Sequence, residues 1–225
     1  RQCPLPWAIT RGRQAMSVDS VPGRRQESAM TTSLYNLRVD VPEGQSGNWS
    51  VNKFTVAERD WMALQYALHG RPVPAGTYTR LLQKGAYNPV MSDTPAELND
   101  HLQFLYQAEG KVLVNGLGLG LVVKGLLLNP KIVHIDVVEI SSDVISLVWP
   151  TYASEPLVHL YQADAFSMTW PQDAQWDFAW HDIWSDICTD NLPEITKLKR
   201  KYARRVGWQG AWCEGLLRRM KRRGT

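Results

Sequence analysis

Gly116, Gly118 and Gly120 punctuate the end of an apolar run, Lys111-Val112-Leu113-Val114-Asn115, and Glu139 stands nineteen residues past the last of them. Glu139 closes a second apolar run, Ile132-Val133-His134-Ile135-Asp136-Val137-Val138. This spacing predicts a strand, a Gly-rich turn, a helix over residues 121–128 and a second strand tipped by a carboxylate. The chemistry such a unit offers is the holding of an adenosine-containing cofactor. Glycines let the backbone turn tightly and approach the ligand, and a carboxylate at the next strand's tip accepts hydrogen bonds from ribose hydroxyls. Two further groups lie downstream: Asp164-Ala165, after the strand-like Val158-His159-Leu160-Tyr161, and His181-Asp182, after Trp176-Asp177-Phe178-Ala179-Trp180. An acid and an imidazole at a strand's C-terminal end are candidate proton acceptors.

The glycine pattern is G-x-G-x-G rather than the G-x-G-x-x-G of dinucleotide sites. With the Gly-to-Glu spacing, the Asp-Ala pair and the fourth strand, residues 77–185 resemble the class I S-adenosylmethionine-dependent methyltransferases. The likeness is nearest to their spermidine-synthase-like branch, in which a hairpin and helix precede the nucleotide fold. The resemblance implies an S-adenosyl-L-methionine site in which Gly116, Gly118 and Gly120 line the methionine and ribose portions. Glu139 would bind the ribose diol, and Asp164 with Ala165 would contact the adenine. Asn115, Leu117 and Ile140 complete the implied cofactor-binding set. Asp182, with His181 as a second candidate, falls where the family places catalytic residues. The compact size, short C-terminus and Met30 are similar to methyltransferase-like proteins of bacteriophages and prophages.

Methyl transfer from a sulfonium demands alignment and, for a protonated acceptor, a base. Trp180, Trp184 and Tyr152 are aromatic candidates to hold a cation or stack on a base. The Asp/Asn-Pro-Pro-Tyr/Phe motif of amino-methylating DNA enzymes and the Pro-Cys nucleophile of cytosine C5 enzymes are both missing. His181-Asp182-Ile183-Trp184-Ser185-Asp186 meets the Asp-x-x-Asp-Pro-like pattern of polyamine synthases only in part. Aminopropyl transfer therefore stands as the alternative reaction. Asp182, Asp186 and Asp190 recur every four residues, a spacing that on a loop specifies no metal site.

The elements that must position these groups read as an α/β protein. A Rossmann-like, doubly wound, mostly parallel sheet over residues 109–213 follows an N-terminal region of strands, hairpin and helices over residues 30–108. Within that region residues 34–41 alternate as a half-buried strand, 42–47 read as a turn and 49–54 as a second strand. Thr55 and Glu58 form a capping box for a helix over 56–68. Residues 77–91 suggest the hairpin, and a helix begins at Thr94 with Pro95 in its first turn. Later helices are expected over 141–148 and 194–205, with room for one more strand near residues 206–213. Residues 1–29 carry five arginines without periodicity and precede Met30-Thr31-Thr32-Ser33, so they read as an upstream read-through, an appended remnant or a disordered arm.

Composition is ordinary for a globular chain, with 44% hydrophobic and 21% charged residues. No run approaches the roughly 20 apolar residues of a membrane span. Three cysteines in no metal-like spacing suggest no disulfide framework and a cytoplasmic setting. The net charge of +3 hides an asymmetry: residues 197–223 hold eleven Lys/Arg against Glu214 alone. This basic segment, with residues 214–225 read as a tail, makes nucleic acid a candidate partner, and with it a non-catalytic docking module a third reading. The methyl acceptor is left open, and a homodimer is a further expectation.

Overall fold

The computed structural model describes residues 37–58, 71–86 and 88–224. Its centre is a five-stranded, wholly parallel sheet built from β5 (Gly110–Asn115), β6 (Ile132–Glu139), β7 (Val158–Gln162), β8 (Trp176–His181) and β9 (Val206–Ala211). The order is β7-β6-β5-β8-β9. The chain therefore winds outward from β5 one way and then returns to build the other way from β8. In a doubly wound sheet the crevice at this reversal, at the strands' carboxyl ends, receives ligands.

Both faces of the sheet are covered, which is why its strands read as continuous apolar runs. On one face Val112, Val114, Ile135 and Val137 pack with α1 (Pro95–Gln107) and α2 (Leu121–Leu127), through Leu98, Leu102, Phe104, Leu105, Val123 and Leu126. On the other, Leu113, Val138 and Ala179 meet Leu198 and Tyr202 of α4 (Asn191–Tyr202). The helix after β6, α3 (Ser142–Val148), starts at Ser141, whose Oγ accepts from the Val144 N–H, and gives way to a 3-10 turn at Trp149–Thr151. Pro150 has no N–H to continue the helical ladder.

A second sheet is antiparallel, in the order β1 (Gly44–Ser46), β2 (Trp49–Val56), β3 (Gly76–Gln83), β4 (Met91–Ser92). Val51, Leu81 and Met91 join the same core as the first face of the parallel sheet. Beside it Ser46 Oγ donates to Asp143 on α3 at 2.8 Å.

Several expectations change here. Residues 37–41 form no strand, although Leu37, Val39 and Val41 are buried in alternation. Burial of one side does not require a pairing partner, and the Arg38 carbonyl accepts from Lys124 Nζ instead. The expected turn at 42–47 shortens to Gly47-Asn48, because β1 pairs with β2 up to Ser46↔Trp49 and Gly47 takes the left-handed φ of +50°. Thr55 is no helix cap: it lies in β2 opposite Thr77, with the two hydroxyls 3.1 Å apart. The rest of the helix expected over 56–68 falls largely outside the described residues. The segment read as a basic tail is helical, α5 (Glu214–Arg223), anchored by buried Leu217 and ended by Gly224 at φ +75°. Finally, Cys188 is disulfide-bonded, while Cys213 is a free thiol.

Candidate functional site

At the reversal between β5 and β8, the carboxyl ends of the strands open on a cavity of about 380 Å³. Its wall includes Gly116, Gly118, Glu139, Ile140, Asp164, Ala165 and Asp182, which the sequence had grouped only by spacing. The loop after β5 is shaped by its glycines. Gly116 has φ +101°, and a Cβ there would sit 1.9 Å from the Asp182 carbonyl oxygen. Gly118 (φ +51°) would bring a Cβ to 2.6 Å from Met91 Sδ, and Gly120 (φ +76°) to 2.2 Å from the Tyr152 ring. Only glycine tolerates both the backbone conformation and the contact.

Glu139 locks that loop to the next strand. Its Oε2 accepts from the Leu117 N–H at 2.9 Å and its Oε1 from the Ser141 N–H at 2.8 Å. Each oxygen keeps a second lone pair for a ligand hydroxyl. Asp164 is held the same way: Oδ1 accepts from the Phe166 N–H at 2.9 Å. Ile140, an apolar side chain 67% exposed, lines the cavity beside them. These features fit the adenosine end of the cofactor: two preset acceptors for hydroxyl and amino groups, and an uncovered apolar surface for the ring system.

Four of the expected site residues do not line the cavity. Asn115, Leu117 and Gly120 support it from behind. Leu117 acts through its bond to Glu139, and Gly120 starts α2. His181 is fully buried between two partners. Gln209 Nε2 donates to the Lys199 carbonyl at 2.9 Å, which turns its Oε1 toward His181 Nε2 at 3.0 Å. The imidazole N–H therefore sits on Nε2, and Nδ1 accepts from Asn115 Nδ2 at 2.8 Å. Burial lowers the His181 pKa to about 4. The ring is a neutral strut linking β5, β8 and β9.

Asp182 faces a different environment. Its backbone N–H donates to the Asn115 carbonyl at 2.7 Å, and its side chain is only 6% exposed. Burial, then the nearby Glu97, Asp100 and Glu139, push its carboxyl well above the usual range. Glu97 on α1 also lines the cavity, and burial raises it to about 7 although Ser92 donates to it from both N–H and Oγ at 2.8 Å. His101, one helical turn along α1, places Nε2 3.9 Å from Asp182 Oδ2.

Sequence reading missed Glu97 and His101 altogether. They sit on a helix whose apolar periodicity explained it without a function, and only the packing of α1 against β8 brings them to Asp182. Trp49 and Trp212 were missed for a like reason: they come from β2 and from beyond β9 to the same wall. The acids Glu97 and Asp100, three residues apart on one side of that helix, were the one available signal.

No protein-family model and no curated protein matches the chain. Among solved structures, it is similar over 40% of its length to a dimethyladenosine transferase from Plasmodium falciparum (22% identity, TM-score 0.32). That match spans 32% of the other chain. An S-adenosylmethionine-dependent methyltransferase from Clostridium acetobutylicum aligns over 48% of this chain and 44% of its own (15% identity, TM-score 0.35). The CcbJ methyltransferase from Streptomyces caelestis aligns over 51% and 47% (17% identity, TM-score 0.39). The matched region thus spans under half of each of these proteins.

Proposed function

We propose that the protein binds S-adenosyl-L-methionine at the Gly116–Glu139–Asp164 wall and transfers its methyl group to an acceptor held beside Asp182. One observation carries this reading. Two glycines in left-handed conformations, two backbone-anchored carboxylates and a buried carboxyl open on one cavity at the reversal of a doubly wound sheet. When bound, the cofactor supplies a methyl group already activated on a sulfonium. The chain's own contribution is placement: the glycine loop and Glu139 seat the nucleoside, and Asp182 holds or takes a proton from the acceptor. His181 supports the strand ends rather than meeting the acceptor.

Calorimetric titration with S-adenosylmethionine, S-adenosylhomocysteine, decarboxylated S-adenosylmethionine and NAD tests it. Preference for the first two is expected, and a folded protein that binds none of them would sink the proposal.

Aminopropyl transfer is the second reading, and the acceptor side favours it in one respect. Glu97, Asp182 and Glu194 line it together with Trp49, Trp184 and Trp212, with no Lys or Arg among the lining residues. Such a wall suits a cationic amine. Tighter binding of the decarboxylated cofactor in the same titration would select this reaction.

A third reading concerns nucleic acid. Between α4 and α5 lies a groove of about 590 Å³ lined by Arg200, Arg218, Lys221 and Arg222 with Leu192, Pro193 and Thr196. Phosphates entering it would release counterions, so binding of a DNA or RNA oligonucleotide should weaken steeply with salt. Binding that is insensitive to salt would remove this partner.

A further inference from the structure

His101 is the least explained polar group among the described residues. Its ring is buried, with 1% of the side chain exposed, yet neither nitrogen has a hydrogen-bond partner. Buried polar groups in folded proteins are almost always paired, because an orphan forfeits its hydration without compensation. The other buried histidine beside the site, His181, has both nitrogens satisfied. His101 is left bare next to one group that can use it, Asp182, across 3.9 Å.

That gap is too long for a hydrogen bond and short enough for a modest side-chain adjustment to close. Asp182 is reached from the loop after β8 and His101 from the middle of α1, so the pair spans two elements. The groups around His101 are mostly acidic. Asp100 precedes it on α1 and favours its cation, and Glu97 lies one turn back on the same helix. Arg71, bound to Asp100 through two bonds of 2.8 and 3.2 Å, opposes it. Cys213, at the start of α5, has its Sγ 3.7 Å from Asp100 and a thiol that burial raises. The Trp180 ring meets the imidazole edge-on at 6.0 Å.

We propose that His101 is a positioning residue that shares the proton of Asp182, with Nε2 taking it when the carboxylate must be free and returning it afterwards. This rests on the reading of Asp182 as the acceptor-side base. In the resting pair the acid is protonated and the imidazole neutral. Burial drives both groups that way, raising Asp182 and lowering His101 to about 4. An acid proton and a bare ring nitrogen are then donor and acceptor. Moving that proton to Nε2 leaves a carboxylate beside an imidazolium, with no change in the total number of protons. The freed carboxylate can take one proton from the acceptor while its own remains on His101; the acceptor's proton then leaves to solvent through the cavity that Asp182 lines, and His101 returns the first. No bond to carbon is made or broken in this step. Without such a partner, a carboxyl whose protonated form burial favours would have no neighbour to hand its proton to.

Nuclear magnetic resonance tests this without any acceptor. Protein labelled with 15N-histidine and 13C-aspartate is titrated across pH, and the His101 nitrogens and the Asp182 carboxyl carbon are followed. The two groups should titrate as a coupled pair. Asp182→Leu should raise the His101 midpoint by about one pH unit or more, since it removes the acid proton that holds Nε2 in its neutral, accepting form. In His101→Leu the Asp182 midpoint should fall by about as much, because the ring nitrogen that accepts the acid's proton and favours its neutral form is gone. Either variant alone suffices if the other does not fold. Midpoints that stay within about 0.3 unit of wild type in a folded variant would overturn the proposal. S-adenosylmethionine titration of the same samples reports separately on the function reading. Loss of cofactor binding with coupled midpoints would strike that reading and leave the pair intact.

Discussion

The two halves of the cavity are held by different means. On the proposed cofactor side, the carboxylates are anchored within two successive βαβ units: Leu117 with Glu139, Ser141 with Glu139, Phe166 with Asp164. Backbone N–H groups do the anchoring, so the geometry follows from the turn itself. On the proposed acceptor side, α1, β2, the loop after β8 and the segment beyond β9 each lend a side chain, and acids gather there with no Lys or Arg among the lining residues. The first half is preset for hydroxyl and amino groups. The second stores electrostatic tension that protonation relieves. Local backbone geometry suits a constant ligand, whereas side chains drawn from distant elements can be exchanged to suit an acceptor.

The largest effect that would sharpen this contrast comes from Gly116→Ala. The added Cβ collides with the Asp182 backbone carbonyl and the φ of +101° is strained for any other residue. Loss of several kcal/mol, about 3 or more, and of cofactor binding is expected, visible as a lowered thermal midpoint. Next is Glu139→Ala, which frees two backbone N–H groups and removes the ribose acceptor. S-adenosylmethionine affinity should fall roughly 10- to 100-fold by calorimetry, matching the loss of a charged hydrogen bond of about 1.5–3 kcal/mol. If affinity holds, the cofactor half is not where it has been placed.

Glu97→Gln tests the tension on the other side. Its carboxyl is raised from 4.5 to about 7 in the folded protein. Between those values the unfolded chain gives up its proton while the native state keeps it, so stability falls as pH rises through that window and levels off above it. Wild type should therefore lose on the order of 1–2 kcal/mol across the interval, a figure discounted because Glu97 lines a cavity open to water. The Gln variant should lack that slope in denaturant titrations at several pH values. The smallest effect on the fold belongs to Arg200→Ala with Lys221→Ala and Arg222→Ala, which should leave stability within about 0.5 kcal/mol. If a nucleic acid occupies the groove, its log-affinity slope against log salt should become shallower by about 2 to 3.

The same division runs through what could be read in advance. The strands β5 to β8 and the helices α1 to α3 were legible because burial on both faces writes long apolar runs, and caps and prolines mark their ends. Residues 37–41 depart from the expected strand because alternating burial does not require a pairing partner, and Thr55 departs because a capping pattern inside a strand is locally indistinguishable from one before a helix. His181 looked like a candidate base next to Asp182. Since successive strand residues point to opposite faces, one of the two had to turn away, and the β9 partner Gln209 decided which.

By itself, then, the sequence determined the doubly wound core, the glycine turn and its pairing with Glu139 and Asp164. These depend on periodicity, on left-handed backbone that glycine alone adopts readily, and on spacing within two successive βαβ units. The tertiary structure decided the rest: that Glu97 and His101 meet Asp182, that tryptophans from two distant elements close the same wall, and that the basic C-terminal segment is a helix edging a groove. Those contacts join residues far apart in the chain, and electrostatics acts through the distances that only packing sets.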